Sequence, residues 1–425
     1  VLRLAVPLLL VLAGAISGCE SLTEDARCAY VEDPSLAPGE RASACLPSGF
    51  PEEASWARNV GGIVWRGEDR ASGATVTIEP RPRSGGERVV HSMITDAAGA
   101  FTFHDVTLPY DMTVRHGQDV LVYRGLRARY IEPSIAIEPR GLPRAWQAKV
   151  DVRLDAPLSE RGKLAFFATG ASAITATGDL ETGVSIVGRE YSFEATLHAV
   201  EYEEGKGLES ARAYGKVDVD VTAARSQLVV LHLDPITTFA EPTIVVTAPA
   251  GFQATTADLR VGFTPRSDAH FATIPLGVKA RLPFIPDAGY TFRVRAERDG
   301  EIVDSGEVGF DLFAEQTSYA LPEPLRVEAP AEGASLGPGD PLVVDGAGVL
   351  EHVLVPVEGG PSIRIVAKDS RTELPDRSML GGAAGAYRWT VHGYPTLRLA
   401  DELSGIDARR YRSMAASKPR VVELR

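Results

Sequence analysis

Short runs of β-branched and aromatic residues, each cut off by Gly, Pro or Asp before it can lengthen, constrain this chain more than any other feature of its sequence. Ala74 to Ile78, Val184 to Val187, Ile244 to Val246 and Tyr290 to Val294 are such runs. Branched side chains suit a pleated surface, and Gly and Pro end a strand where the chain must turn, so the pattern predicts sandwiches or barrels. The expected class is all-β, built as tandem β-sandwich modules. Asp299-Gly300, set between two strand-like runs, predicts a two-residue hairpin, because a type I′ turn needs positive φ at both central positions. Only Leu397 to Met414 has enough Leu, Ala, Arg and Glu for a helical turn or two, and Gly405 interrupts it.

With 425 residues the chain exceeds one common domain. A weak repeat divides it. Leu154-Asp155-Ala156-Pro157, Val246-Thr247-Ala248-Pro249 and Val327-Glu328-Ala329-Pro330 each close an apolar run and precede another. Their separation, of the order of 90 residues, suits immunoglobulin-type sandwiches of about 100 residues. The expected layout is a leader at 1–18, a tether at 19–55, and modules at 56–143, 144–240, 241–323 and 324–425.

The first module is the most specific. Gly62-Ile63-Val64 leads to Ser72-Gly73-Ala74-Thr75-Val76, then Thr95-Asp96-Ala97-Ala98-Gly99-Ala100-Phe101-Thr102-Phe103, then Val106-Thr107-Leu108-Pro109-Tyr110-Asp111-Met112-Thr113-Val114. Asp96 with Gly99 predicts a hairpin turn, and Phe101 and Phe103 share one face at period two. From Val60 to Ile137 this resembles the carboxypeptidase regulatory-like domain, a small transthyretin-like sandwich. It departs from that pattern where Tyr110-Asp111 replaces the usual Gly-Xaa-Tyr turn. The resemblance implies a fold and no activity, since such domains accompany catalytic or adhesive ones. The final module looks like the immunoglobulin or fibronectin type III class.

The N-terminus carries an address. One positive charge at Arg3 precedes an apolar run from Leu4 to Ala15, too short to span a bilayer, which needs roughly 20 apolar residues. Ile16-Ser17-Gly18-Cys19 resembles a lipobox, which implies cleavage before Cys19 and acylation of that cysteine with fatty chains such as palmitate. Two or more chains hold a protein where one is marginal. Glu20 is not the usual retention residue, so the expected address is the cell envelope, at the outer membrane rather than the inner. The remaining cysteines, Cys28 and Cys45, lie close together in an exported chain and are expected to form a disulfide, as opposed to two free thiols or a metal site.

A formal charge of −13 repels phosphate backbones, so nucleic acid is not an expected partner. His198-Ala199-Val200-Glu201 resembles the zinc pair of metallocarboxypeptidases, yet it sits in an alternating strand-like run where His198 and Glu194 lie opposite Phe193 and Leu197. A distant His352 offers no supported third ligand. Gly381-Gly382-Ala383-Ala384-Gly385 lacks the Lys and Ser or Thr ending of a phosphate loop. No metal or cofactor is expected. Of four tryptophans, Trp56, Trp65, Trp146 and Trp389, Trp65 is the candidate ligand contact: if Val64 packs inward, its indole points outward. The resulting expectation is a non-catalytic, membrane-anchored lipoprotein presenting β-sandwiches as a rod to an envelope protein or glycan. An envelope hydrolase with an unrecognised site and a structural spacer are the competing readings.

Overall fold

The computed structural model describes residues 59–425, apart from 67–68, 82–88, 136–145, 169–173, 177–180, 189–191, 223–226, 264–267, 347, 377–378, 381 and 405–411. The expected leader, Cys19 and the Cys28–Cys45 pair lie outside the described residues. Among those described the chain is strand with two 3₁₀ turns, Leu208–Ser210 and Ala400–Leu403, and no α-helix. It folds as β-sandwich modules.

In the first module one sheet runs Ala100–Phe103, Val60–Ile63, Tyr130–Ile131, and the facing strands run Asp119–Leu126, Tyr110–His116, Thr75–Pro80, His91–Ile94. Phe101 and Phe103 point into the core together, as their spacing requires. The turn ahead of them differs from expectation. Asp96 Oδ1 accepts the N–H groups of Ala98 and Ala100, each at 2.8 Å, and Gly99 takes φ 71°. The strands on either side pair with other partners, His91–Ile94 with Thr75–Pro80 and Ala100–Phe103 with Val60–Ile63. The turn therefore carries the chain from one sheet to the other.

The second module packs the three-stranded sheet Glu181–Gly188, Trp146–Leu154, Gln227–Leu231 against a five-stranded one centred on Gly162–Ala168, Ser192–Glu203 and Ala213–Thr222. Leu164, Phe166, Leu197, Val150 and Ile186 fill the space between them. In the third, Thr256–Gly262 pairs with Asp268–Pro275 and Gly289–Arg293. Its hairpin Arg295–Arg298 to Glu301–Asp304 turns at Asp299 and Gly300, with φ 52° and 87°, the expected type I′ geometry. The strands Trp146–Leu154, Ile244–Thr247 and Arg326–Ala329 end at the repeated Ala-Pro segments.

The modules are not beads along a rod. A twelve-stranded sheet enters the third module at Arg295–Arg298 and Glu301–Asp304 and continues through Met414–Ala416, Gly385–Tyr394, Val349–Pro356 and Ile363–Ala367 of the last. From there it passes into Asp119–Leu126 of the first module and ends at His91–Ile94. The junction is parallel, with Ile363 opposite Val120, Arg364 opposite Leu121, Ile365 opposite Val122 and Val366 opposite Tyr123. Both strands are buried at consecutive positions, Val120 to Tyr123 and Ile363 to Ala367, so both of their faces are covered. Val120, Val122, Ile363 and Ile365 face one core, while Leu121, Tyr123 and Val366 face another. The 56–143 and 324–425 segments thus share a core, and the rod is corrected to a chain folded back on its start.

Candidate functional site

Trp65 does not present its indole. It is 4 % exposed, beside a fully buried Val64. The segment after Tyr130–Ile131 returns over it: Trp65 N–H donates to Pro133 O at 2.9 Å and Ile135 N–H to Trp65 O at 2.8 Å. The Arg70 guanidinium lies 5.7 Å from the ring centroid. The expectation of an outward Trp65 is corrected, because alternation fails where both strand faces are covered. Trp389 is buried too, Trp56 lies outside the described residues, and so does the side chain of Trp146.

His198 and Glu201 stand three residues apart on Ser192–Glu203, hence on opposite faces. Glu201 turns to the module's own core, where its Oε1 accepts Ser159 N–H at 2.8 Å and the Ser159 hydroxyl, pinning the loop before Gly162–Ala168. His198 faces the third module, with its ring stacked on Phe263 at 3.9 Å between centroids. Sequence alternation placed His198 on a wet face; the third module covers that face. His198 Nδ1 lies 2.9 Å from the Tyr214 hydroxyl, which donates to Asp287 Oδ2 at 3.0 Å, and Lys216 donates to the same oxygen at 2.7 Å. With the hydroxyl proton committed to Asp287, His198 Nδ1 is the donor to Tyr214.

Burial brings the His198 pKa down to about 4, so the ring is neutral at pH 7. Burial and the Asp287 carboxylate push the Tyr214 phenol up, and Lys216 with Tyr214 holds Asp287 down. A phenol held protonated and a histidine held neutral join two modules. His352 is likewise structural: it is 0 % exposed, stacked parallel on Trp389, and burial lowers its pKa to about 3. No group of three His, Cys, Asp or Glu residues able to hold a metal occurs among the described residues.

Two further clusters, which the sequence reading missed, bind the last module to the first. Arg364 Nε donates to Glu351 Oε1 at 2.9 Å with both side chains 2 % exposed, and Arg364 Nη1 donates to Ser134 O at 2.9 Å. Asp401 accepts Arg127 N–H and Ala128 N–H, each at 3.0 Å to Oδ1. Burial raises the Asp401 pKa, and those two N–H groups oppose the rise. The partners of Glu351 and Asp401 are distant in sequence, Arg364 and Ser134 for the one cluster and Arg127 with Ala128 for the other, so only the fold reveals them.

What the surface offers is apolar strand edge. Among the described residues Gln227–Leu231 pairs only with Trp146–Leu154 and borders its sheet. Val229 and Leu231 turn inward, while Leu228 and Val230 are each 60 % exposed. Beside them, on the same face, run Lys149, Asp151 and Arg153, with Lys149 bonded to Asp151 at 2.9 Å and Arg153 Nε to Glu181 at 2.6 Å. Just beyond the strand, His232 Nδ1 meets Asp155 Oδ2 at 2.6 Å, and that carboxylate raises the imidazole pKa. Two apolar side chains flanked by a charged ladder, on a strand with a free edge, form a surface suited to an extended protein segment.

No protein-family model and no curated protein matches this chain. Among solved structures, the minor pilin GBS52 of Streptococcus agalactiae aligns at 10 % identity and TM-score 0.19, over 42 % of this chain and 97 % of the pilin. The Bacillus anthracis TIE protein aligns at 8 % identity and TM-score 0.16, over 62 % of this chain and 49 % of that one. A DUF3823 family protein from Bacteroides uniformis aligns at 12 % identity and TM-score 0.14, over 38 % of this chain and 98 % of its own. At these scores the likenesses add nothing to the fold read from the strands themselves.

Proposed function

We propose that this chain is a non-catalytic envelope lipoprotein that binds an extended segment of another envelope protein along the Gln227–Leu231 edge. The observation that carries the reading is the pair Leu228 and Val230, exposed on an edge that no other described strand pairs, while their neighbours Val229 and Leu231 fill the core. A bound strand would satisfy the free main-chain groups and cover both side chains, with Lys149, Asp151 and Arg153 as the polar rim. A protein ligand is preferred to a glycan because the indole suited to stacking on sugar, Trp65, is buried. The first module, in this reading, is a regulatory-like sandwich that accompanies the binding module without chemistry of its own.

Anchoring belongs to the same proposal: acylated Cys19 would hold the modules at the outer membrane, and the oxidising compartment would close a Cys28–Cys45 disulfide in the tether. A photoreactive side chain placed at position 228 in cells should yield a discrete protein adduct, and the same residue at Asp299, on a remote turn, should not. Absence of a 228-specific adduct would overturn the binding site. Mass spectrometry of the N-terminal peptide should find Cys19 acylated; a free thiol there would remove the anchor and leave the edge-binding reading standing.

A further inference from the structure

The twelve-stranded sheet has two ends of different character. At one, Arg295–Arg298 carries Arg295, Glu297 and Arg298, charges that discourage edge pairing. At the other, His91–Ile94 is the sequence His-Ser-Met-Ile, preceded by Val89 and Val90, and no residue from 89 to 94 is Lys, Arg, Asp, Glu or Pro. Ile94 is 67 % exposed and Val89 and Val90 are each 52 % exposed. Among the described residues this strand pairs only with Thr75–Pro80.

The main chain tells which groups face out. Thr95 N–H donates to Ala74 O at 2.8 Å and Thr95 O accepts Gly73 N–H at 3.2 Å, so Thr95 points toward the neighbouring strand. Alternation then directs the N–H and C=O of Met93 and His91 at Thr75–Pro80 and leaves those of Ile94 and Ser92 directed at the open edge. Met93 also packs its side chain on the first module's core, which fixes the phase. The outer face of this edge carries Ile94 and Ser92, with Val90 next in the alternation.

We propose that this edge pairs antiparallel with the same strand of a second copy of the chain, about a twofold axis at Ser92. A strand and its own antiparallel copy match only if the residues on either side of the axis suit each other. Here Val90 of each copy falls opposite Ile94 of the other, His91 falls opposite Met93, and Ser92 falls opposite itself. The outward-facing main-chain groups of Ser92 meet each other as a hydrogen-bonded pair, and no like charges are brought together. The interface is isologous and closed, so it yields a dimer and not a filament. It is short, so association is weak and concentration dependent.

Sedimentation velocity of the full chain over a concentration series should show the weight-average mass rising from monomer toward dimer. Ser92→Lys sets two ammonium groups face to face on the axis and should weaken association on the order of tenfold. Position 92 is exposed and its hydroxyl bonds only Thr77 Oγ1 and, at 3.4 Å, Val76 O among the described residues, so the variant should melt within a few degrees of wild type. Register is read by cysteine pairing, mapped by peptide mass spectrometry. Ser92→Cys should oxidise across the axis, where Cα atoms lie about 5.5 Å apart. Val90→Cys alone should not, because position 90 lies two residues from the axis and its two copies are therefore about 14 Å apart along the strands, whereas a mixture of Val90→Cys and Ile94→Cys chains should. A chain monomeric at every concentration, or a Ser92→Lys variant that associates as wild type does, overturns the proposal. The adduct at position 228 is a separate readout, so either result can fail without the other.

Discussion

Glu351 and Arg364 illustrate how the same two side chains can be costly and necessary. Taking both charges out of water is costly, and their mutual contact with the bonds to Tyr394 and to Ser134 O offsets that cost. Removing one partner strands the other, so Arg364→Leu should lower stability by about 3–5 kcal/mol in urea titrations. The paired change Glu351→Leu with Arg364→Leu should cost well under the sum of the two single changes, and additive losses would show that the pair is not coupled. The buried histidines act through pH. Their folded-state pKa values, about 4 for His198 and about 3 for His352, lie below the unfolded value of about 6.5. Below pH 6.5 the unfolded chain therefore takes up protons that the folded chain refuses. Stability falls from there until the pH passes each folded pKa. At pH 5 the loss through His352 alone is about 2 kcal/mol. His352→Leu should flatten the decline in melting temperature between pH 7 and pH 5; equal slopes in the two proteins would refute the assignment.

Elements whose geometry depends on their own residues were legible from sequence. Asp299-Gly300 is the clearest: both residues take positive φ, which a branched side chain resists. Gly300→Val should destabilise by about 1–3 kcal/mol while Asp299→Asn, which tolerates the same conformation, should be nearly neutral, as judged by thermal unfolding. The Ala-Pro strand ends and the Phe101 and Phe103 face were readable for the same local reason. The faces of Trp65 and His198 were not, because alternation reports what a strand does with one wet side. Trp65 is buried on a strand that pairs by its main chain with Pro133 and Ile135, and His198 is covered by Phe263, each partner distant in sequence. The Asp96–Gly99 turn was read correctly as a turn and wrongly as a hairpin, since a turn does not reveal which sheet receives the next strand. The exposed edge at Leu228 and Val230 lay hidden for a similar reason: Gln-Leu-Val-Val-Leu looks like a fully buried strand until the fold leaves one side uncovered.

At the scale of the whole molecule, the return of the last module to the first makes the order of modules in sequence a poor guide to what folds together. The missed signal was present in Val120-Leu121-Val122-Tyr123, a run without polar alternation, whereas Ile363-Arg364-Ile365 alternates and gave no sign that Arg364 is buried. Three kinds of contact hold the junction: four parallel residue pairs, the Arg364 bond to Ser134 O, and Asp401 accepting the N–H groups of Arg127 and Ala128. Around them Leu397, Ala400 and Leu403 pack into the same core as Val60, Tyr110 and Leu121. A fully buried apolar side chain contributes about 1.5–3 kcal/mol, so separating the two modules would expose more apolar surface than either could tolerate alone. The two segments should therefore open as one unit in native-state hydrogen exchange. Amides of Asp119–Leu126 and Ile363–Ala367 should share one opening free energy, and Asp401→Ala should lower both together. Independent beads would behave otherwise: Asp401→Ala would leave the first module's exchange unchanged, and a chain ending at residue 323 would keep Asp119–Leu126 protected. Either result would mean that the shared core is not what stabilises this molecule.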